Sequence, residues 1–153
     1  MSVTLTTSPD GQPLPDPEAN LGYLFRLAYQ RFRARLEEGL RELGLSAQEY
    51  AILSVFETRD ELSTSDLARV AQVTRQTMHA AIVKLEAAGV LERRAKNKRV
   101  VLVAPTEHGR KTLEAATGRV RAVERAVLAG LTDDDERVVR LWLANLARRR
   151  SDG

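Results

Sequence analysis

Residues 62–109 read LSTSDLARVAQVTRQTMHAAIVKLEAAGVLERRAKNKRVVLVAPTEHG, and their punctuation decides the fold. Ser63, with Asp66 three residues on, opens a short helix through Leu67, Val70 and Ala71. A tight turn at Gln72 and Val73 follows, and Thr74 caps a second helix running from Arg75 to about Ala88. Hydroxyl side chains at such positions accept hydrogen bonds from first-turn amides that have no partner in the helix. Gly89 is the expected helix end. Beyond it the helical period gives way to short β-branched runs. Val90–Arg94 and Arg99–Val103 form the arms of a hairpin, and Ala95–Lys98 its tip. Two capped helices at a tight turn, then a hairpin with a basic tip, make a shape for gripping a polyanion.

The second of these helices has two faces at about 100° per residue. Met78, Ala81, Ile82 and Leu85 share one arc, which should close onto the preceding helix and the core. Arg75, Gln76 and His79 lie together away from that arc, with Ala80 and Val83 beside them. Arg and Gln in the first turn of a helix are the bidentate donors that can read guanine and adenine edges in a DNA major groove. Small neighbours let the backbone come close. The candidate contacts on this helix are Thr74, Arg75, Gln76, Thr77 and His79. His79 either hydrogen-bonds a base or phosphate or is simply exposed there; His108 is expected to be structural or solvated.

Charge is concentrated in the same region. Between Gln72 and Arg99 the basic residues are Arg75, Lys84, Arg93, Arg94, Lys96, Lys98 and Arg99, and the acidic ones Glu86 and Glu92. That stretch carries +5 in a chain of net charge +3, which leaves the remainder at −2. A basic patch on a slightly acidic body is the footprint of a protein that docks one face on a nucleic acid.

The flanking sequence is helical. Asp16 and Pro17 are an expected N-cap and first helical position. Leu21, Leu24, Phe25, Ala28, Phe32, Leu36, Leu40 and Leu43 then recur at spacings of three and four, up to Gly44. Ser46 and Glu49 match a capping box for a helix carrying Tyr50, Ile52, Leu53 and Phe56. After the hairpin, Thr106 opens a long helix on which Leu113, Ala116, Val120, Val123 and Val127 form a narrow seam of the kind that packs on another helix. Thr132 followed by Asp133, Asp134 and Asp135 opens the last one, with Val138, Leu141, Trp142 and Leu146 on its apolar side. The three aspartates read as acids on the positive end of a helix dipole rather than as a metal site, because no His or Glu pattern completes a coordination set. Arg148, Arg149 and Arg150 suit the opposite end of that helix or a DNA contact.

Composition narrows the function classes. The chain of 153 residues has no cysteine, which removes disulfides, thiolate zinc sites and thiol redox switches and fits a reducing cytoplasm. Aromatic residues are 5% of the chain, too few for the stacking platforms of single-stranded nucleic-acid binders. No apolar run approaches the ~20 residues needed to span a membrane. The first 16 residues read as a flexible arm without the features of a secretory signal. Neither histidine sits in a Ser, Cys or Asp arrangement suggesting catalysis, and no glycine-rich phosphate loop occurs. Neither an enzyme nor a cofactor or metal protein is expected.

From Leu21 to about Leu146 the chain resembles the MarR-type winged helix-turn-helix transcriptional regulators. The resemblance is carried by Leu85, Gly89, Leu91, Glu92 and Arg93 at the step into the wing, and by the Thr106-x-x-Gly109 opening of the next helix. It implies a mainly α fold with a small β-hairpin. Residues 1–16 would form the arm, 17–45 and 106–150 the dimerisation helices, and 46–104 the DNA-binding lobe. The wing's usual D-x-R positions fall on Asn97, Lys98 and Arg99, so Arg99 is carried over as the wing arginine, with Lys96 and Lys98 as phosphate contacts beside Arg94. Asn97 departs from the pattern because it cannot hold Arg99 by a charge-assisted pair. The tip is also about two residues shorter than a common wing of this type.

The resemblance further implies a homodimer on near-palindromic double-stranded DNA, and control by a small aromatic or anionic effector. Three readings stand at this point. The first is a ligand-responsive, sequence-specific repressor or activator. The second is an architectural DNA-binding dimer with no effector, and the third a winged-helix protein-interaction module that has lost DNA binding.

Overall fold

The computed structural model describes residues 20–97 and 100–148. The expected arm, Asp16 and Pro17, Lys98 and Arg99 of the wing, and Arg149 and Arg150 lie outside the described residues. Six helices and a three-stranded sheet follow in order: α1 (Leu21–Leu40), α2 (Ala47–Ser54), β1 (Leu62–Ser63), α3 (Thr64–Val70), α4 (Arg75–Ala87), β2 (Leu91–Ala95), β3 (Val101–Pro105), α5 (Glu107–Leu128) and α6 (Asp133–Arg148). Single 3₁₀ turns, Arg41–Leu43 and Val55–Glu57, extend α1 and α2.

Most helix starts fall where their caps put them. Ser46 and Glu49 close a full capping box, Ser63 accepts from the Asp66 amide, Thr74 from the Thr77 amide, and Thr106 from the Gly109 amide. The described helix α1 begins at Leu21, and the expected start at Asp16 and Pro17 lies outside the described residues. The α1 cap is Asn20, whose Oδ1 accepts from the Tyr23 amide at 3.0 Å. At the other end Gly44 takes the left-handed conformation (φ 67°) that ends the α1 extension.

The sheet has the order β1-β3-β2, so the hairpin expected from the sequence gains a third strand. Leu62 and Ser63 pair with Val103 and Leu102. Two residues are too short for a strand pattern to register, and Ser63 doubles as the α3 cap. The hairpin register also differs from the expected one: Leu91 pairs with Pro105 and Ala95 with Val101, so both arms sit later in the chain and the connection spans 96–100. Asn97 explains the longer tip. Its Oδ1 accepts from the Val100 amide at 2.9 Å, and the amide of Lys96 donates to the Val100 carbonyl at 2.9 Å.

One core holds these elements together. Leu40, Ile52, Leu53, Leu67, Met78, Ile82, Leu85 and Val103 are its largest fully buried side chains, one or more each from α1, α2, α3, α4 and β3. The first part of the α5 seam is spent inside the chain, because Leu113, Ala116 and Val120 are buried in this core and α5 runs along α1, whereas Val127 at its end is exposed. Along α6, by contrast, no residue is buried.

Candidate nucleic-acid interface

The turn between α3 and α4 is built by Gln72, which takes a left-handed φ of 54°, and by the Val73 amide, which donates to the Ala68 carbonyl at 3.1 Å. Beyond this turn α4 lies with one face on the core and the other in solvent. Met78, Ala81, Ile82 and Leu85 are its buried residues, the arc expected from the sequence. Arg75, Gln76, His79, Ala80 and Val83 are exposed, and Thr77 is half-buried. The Thr74 hydroxyl accepts from the Thr77 amide at 3.1 Å and donates to the Thr77 hydroxyl at 2.9 Å, so both threonines are occupied in shaping the first turn. Arg75 and Gln76 make no side-chain hydrogen bond or ion pair among the described residues. Their donors are free for an external partner.

The hairpin extends from the far end of α4. Gly89 is left-handed (φ 68°), and the junction behind it is tight. The Thr106 amide donates to the Val90 carbonyl at 3.0 Å and the Thr106 hydroxyl to the Gly89 carbonyl at 2.5 Å. Gly109 lies so close to this strand start that a Cβ there would meet the Val90 carbonyl oxygen at 1.9 Å. The end of α4, both ends of the hairpin and the start of α5 therefore meet in one packed joint.

The positive patch is partly neutralised from within, which the sequence did not reveal. Lys84 reaches across to Glu49 of α2 at 2.8 Å. Arg93 pairs with Glu86, its Nε at 2.8 Å, and Arg94 pairs with Glu92. The Arg93 guanidinium, by hydrogen bond and by charge, holds the Glu86 carboxyl below its usual range. Arg75 and Lys96 make no ion pair among the described residues. Spacing hides the first two of these pairs, since Lys84 and Glu49 are 35 residues apart and Arg93 meets Glu86 only across the Gly89 turn.

The acidic run at the start of α6 is a helix start. The Asp135 amide donates to the Thr132 hydroxyl at 3.2 Å, and the Thr132 amide donates back to the Asp135 carboxylate at 3.1 Å. Among the described residues no group of His, Cys, Asp and Glu is placed to hold a metal ion, and no helix is long and apolar enough to cross a membrane.

Comparison with known proteins agrees with this architecture. The MarR family model matches residues 43–99, which span α2 to the hairpin tip. The HTH-type transcriptional repressor Rv2887 of Mycobacterium tuberculosis is 34% identical over 131 residues, covering 84% of this chain and 94% of that protein. The structure of Rv2887 in complex with DNA is similar to this fold with a TM-score of 0.68 at 33% identity, covering 82% of this chain and 96% of that one. Its complex with salicylic acid gives a TM-score of 0.66 at 34% identity, over 82% and 95% of the two chains. With a helix-turn-helix lobe, a basic hairpin and a relative of this identity along most of its length, the chain belongs to the MarR family of transcriptional regulators.

Proposed function

We propose that the protein is a sequence-specific repressor that binds a near-palindromic operator as a homodimer, with α4 in the major groove and the hairpin against the adjacent backbone. The observation that carries this reading is the pair of unengaged donors, Arg75 and Gln76, exposed on the first turn of a helix whose other face is fixed in the core. Thr74, Thr77 and His79 complete the contact set on the helix, and Arg94, Lys96, Lys98 and Arg99 supply the wing. Residues 46–104 form the DNA-binding lobe and 17–45 with 106–150 the dimerisation helices. Rv2887, crystallised both with DNA and with salicylic acid, supports a regulator whose affinity responds to a small aromatic anion. Such a protein works in the cytoplasm, where its operator lies.

A second copy is favoured by the apolar surface at the chain's ends. Leu21, Phe25 and Tyr29 of α1, and Val138, Leu141, Trp142 and Leu146 of α6, are all exposed in the single chain. Two-fold symmetry would cover this face and set two α4 helices about one DNA turn apart.

Binding of the Arg75→Ala variant tests the reading. Replacing a bidentate base contact should cost about 1 to 3 kcal/mol in discrimination between a selected operator and random duplex. Equal losses on both duplexes would indicate an architectural protein instead. Absence of duplex binding at low salt would indicate a protein-interaction module.

A further inference from the structure

The exposed side of α4 is not uniformly polar. Its buried arc fixes the opposite side as the line through Gln76, Ala80, Val83 and Ala87, all of them exposed. At about 100° per residue, Gln76 and Val83 fall within about 20° of each other, and a rise of 1.5 Å per residue sets them about 10 Å apart along the axis. Val83 is 46% exposed. Away from α1, α5, α6 and the turn joining the last two, the exposed large apolar side chains among the described residues are Val70, Val83 and Val101, and Val83 alone belongs to α4. Nothing in helix formation calls for it there. A β-branched residue is a poorer helix former than the Ala, Lys or Glu that would serve on a solvated face.

The major groove offers one apolar group to an aliphatic side chain, the C5-methyl of thymine. We infer that Val83 determines specificity by packing its isopropyl group on such a methyl, about three base steps from the base held by Gln76. This rests on the proposed docking of α4 in the major groove. The charges around the strip favour that occupant. Arg75 lies to one side on the first turn and Lys96 at the hairpin tip, both without ion pairs among the described residues, while Lys84 on the other side is held by Glu49. An aliphatic residue on a helix face that also carries the unpaired Arg75, in a lobe with the unpaired Lys96, complements a groove walled by phosphates.

The test uses the full chain and a site selected from a random duplex pool. Each thymine of the selected site is then replaced by uracil, which deletes the methyl and leaves the base pairing and the O4 acceptor unchanged. At one thymine per half-site the replacement should weaken binding about three- to fourfold, the value of one buried methyl. For the Val83→Ala variant the same replacement should have no effect, while its thermal midpoint should not fall below the parent's, because the side chain is exposed and alanine is the better helix former. A selected site in which no thymine shows methyl dependence, or in which the dependence persists in Val83→Ala, would overturn the inference and leave the DNA-binding reading standing. If the pool yields no enriched site, both fall together.

Discussion

Glu49 shows how one side chain serves two neighbours. It is 7% exposed, and its Oε2 accepts from the Ser46 amide at 2.8 Å while Lys84 reaches Oε1 at 2.8 Å. Burial pushes this carboxyl up, but the hydrogen bonds from Lys84 and from Ser46 outweigh it and hold Glu49 below its ordinary value. A folded-state pKa below the unfolded one means that the unfolded chain takes up the proton first as pH falls. The contribution to stability is therefore complete at neutral pH and is lost as pH drops through the folded value. Glu49→Gln should cost about 1 to 2 kcal/mol at pH 7, since Lys84 is largely exposed and its share is screened. In urea melts from pH 7 downward, the gap between variant and parent should close as the acid range is entered. A gap independent of pH would mean that the carboxylate's charge does not matter.

At the scale of elements, the joint between α4, the hairpin and α5 makes a prediction with opposite signs at two helical glycines. Alanine is favoured over glycine inside a helix by about 1 kcal/mol, and Gly118 on α5 has open space where a Cβ would go. Gly118→Ala should therefore raise the thermal midpoint by about 2 to 4 °C. At Gly109 the same change puts a Cβ against backbone, 1.9 Å from the Val90 oxygen and 2.9 Å from its carbon, so α5 must shift off the strand. Overpacking of this kind costs about 1 to 3 kcal/mol, more than the helix gains. Gly109→Ala should lower the midpoint in the same calorimetric scan; a rise would show that the joint has slack.

This joint also marks where the sequence stops being readable. The Thr106-x-x-Gly109 opening could be recognised and its cap placed, because a cap is a local matter of three residues. That Gly109 must be glycine follows from a contact with Val90, and no local pattern encodes that distance. The same division runs through the interface. The exposed side of α4, with Arg75, Gln76 and His79 upon it, followed from helical period alone. The pairing of Lys84 with Glu49 and of Arg93 with Glu86 depends on how elements meet, and that of Arg94 with Glu92 on their sharing one face of β2, so a count of charges overstates the free cation of the patch. The hairpin register slipped for a related reason. The tip is closed by the Asn97 side chain on the Val100 amide, a bond that β-branched content, which places the arms in the sequence, does not see.

For the whole molecule, the contrast between its two halves sets the last prediction. The winged lobe buries a compact core, whereas α6 has no buried residue and touches α1 through an edge-to-face contact of Phe25 and Trp142 at 5.8 Å between ring centroids. Leu141 is 58% exposed in the single chain, so replacing it by Lys should cost a monomer almost nothing. In a symmetric dimer each copy loses a buried leucine, and the change occurs twice across the two-fold. At about 1.5 to 3 kcal/mol per side chain, Leu141→Lys should weaken association by about 3 to 6 kcal/mol, or roughly two to four orders of magnitude in dissociation constant. Sedimentation at micromolar concentration should then find a dimer for the parent chain and a monomer for the variant. The parent's thermal midpoint should rise with protein concentration, as mass action requires, and the variant's should not. Trp142, the only tryptophan, reports on the same surface, so its emission should shift to the red as the parent is diluted through its dissociation constant. A parent chain that sediments as a monomer, with a midpoint independent of concentration, would leave α6 without the role its apolar face suggests.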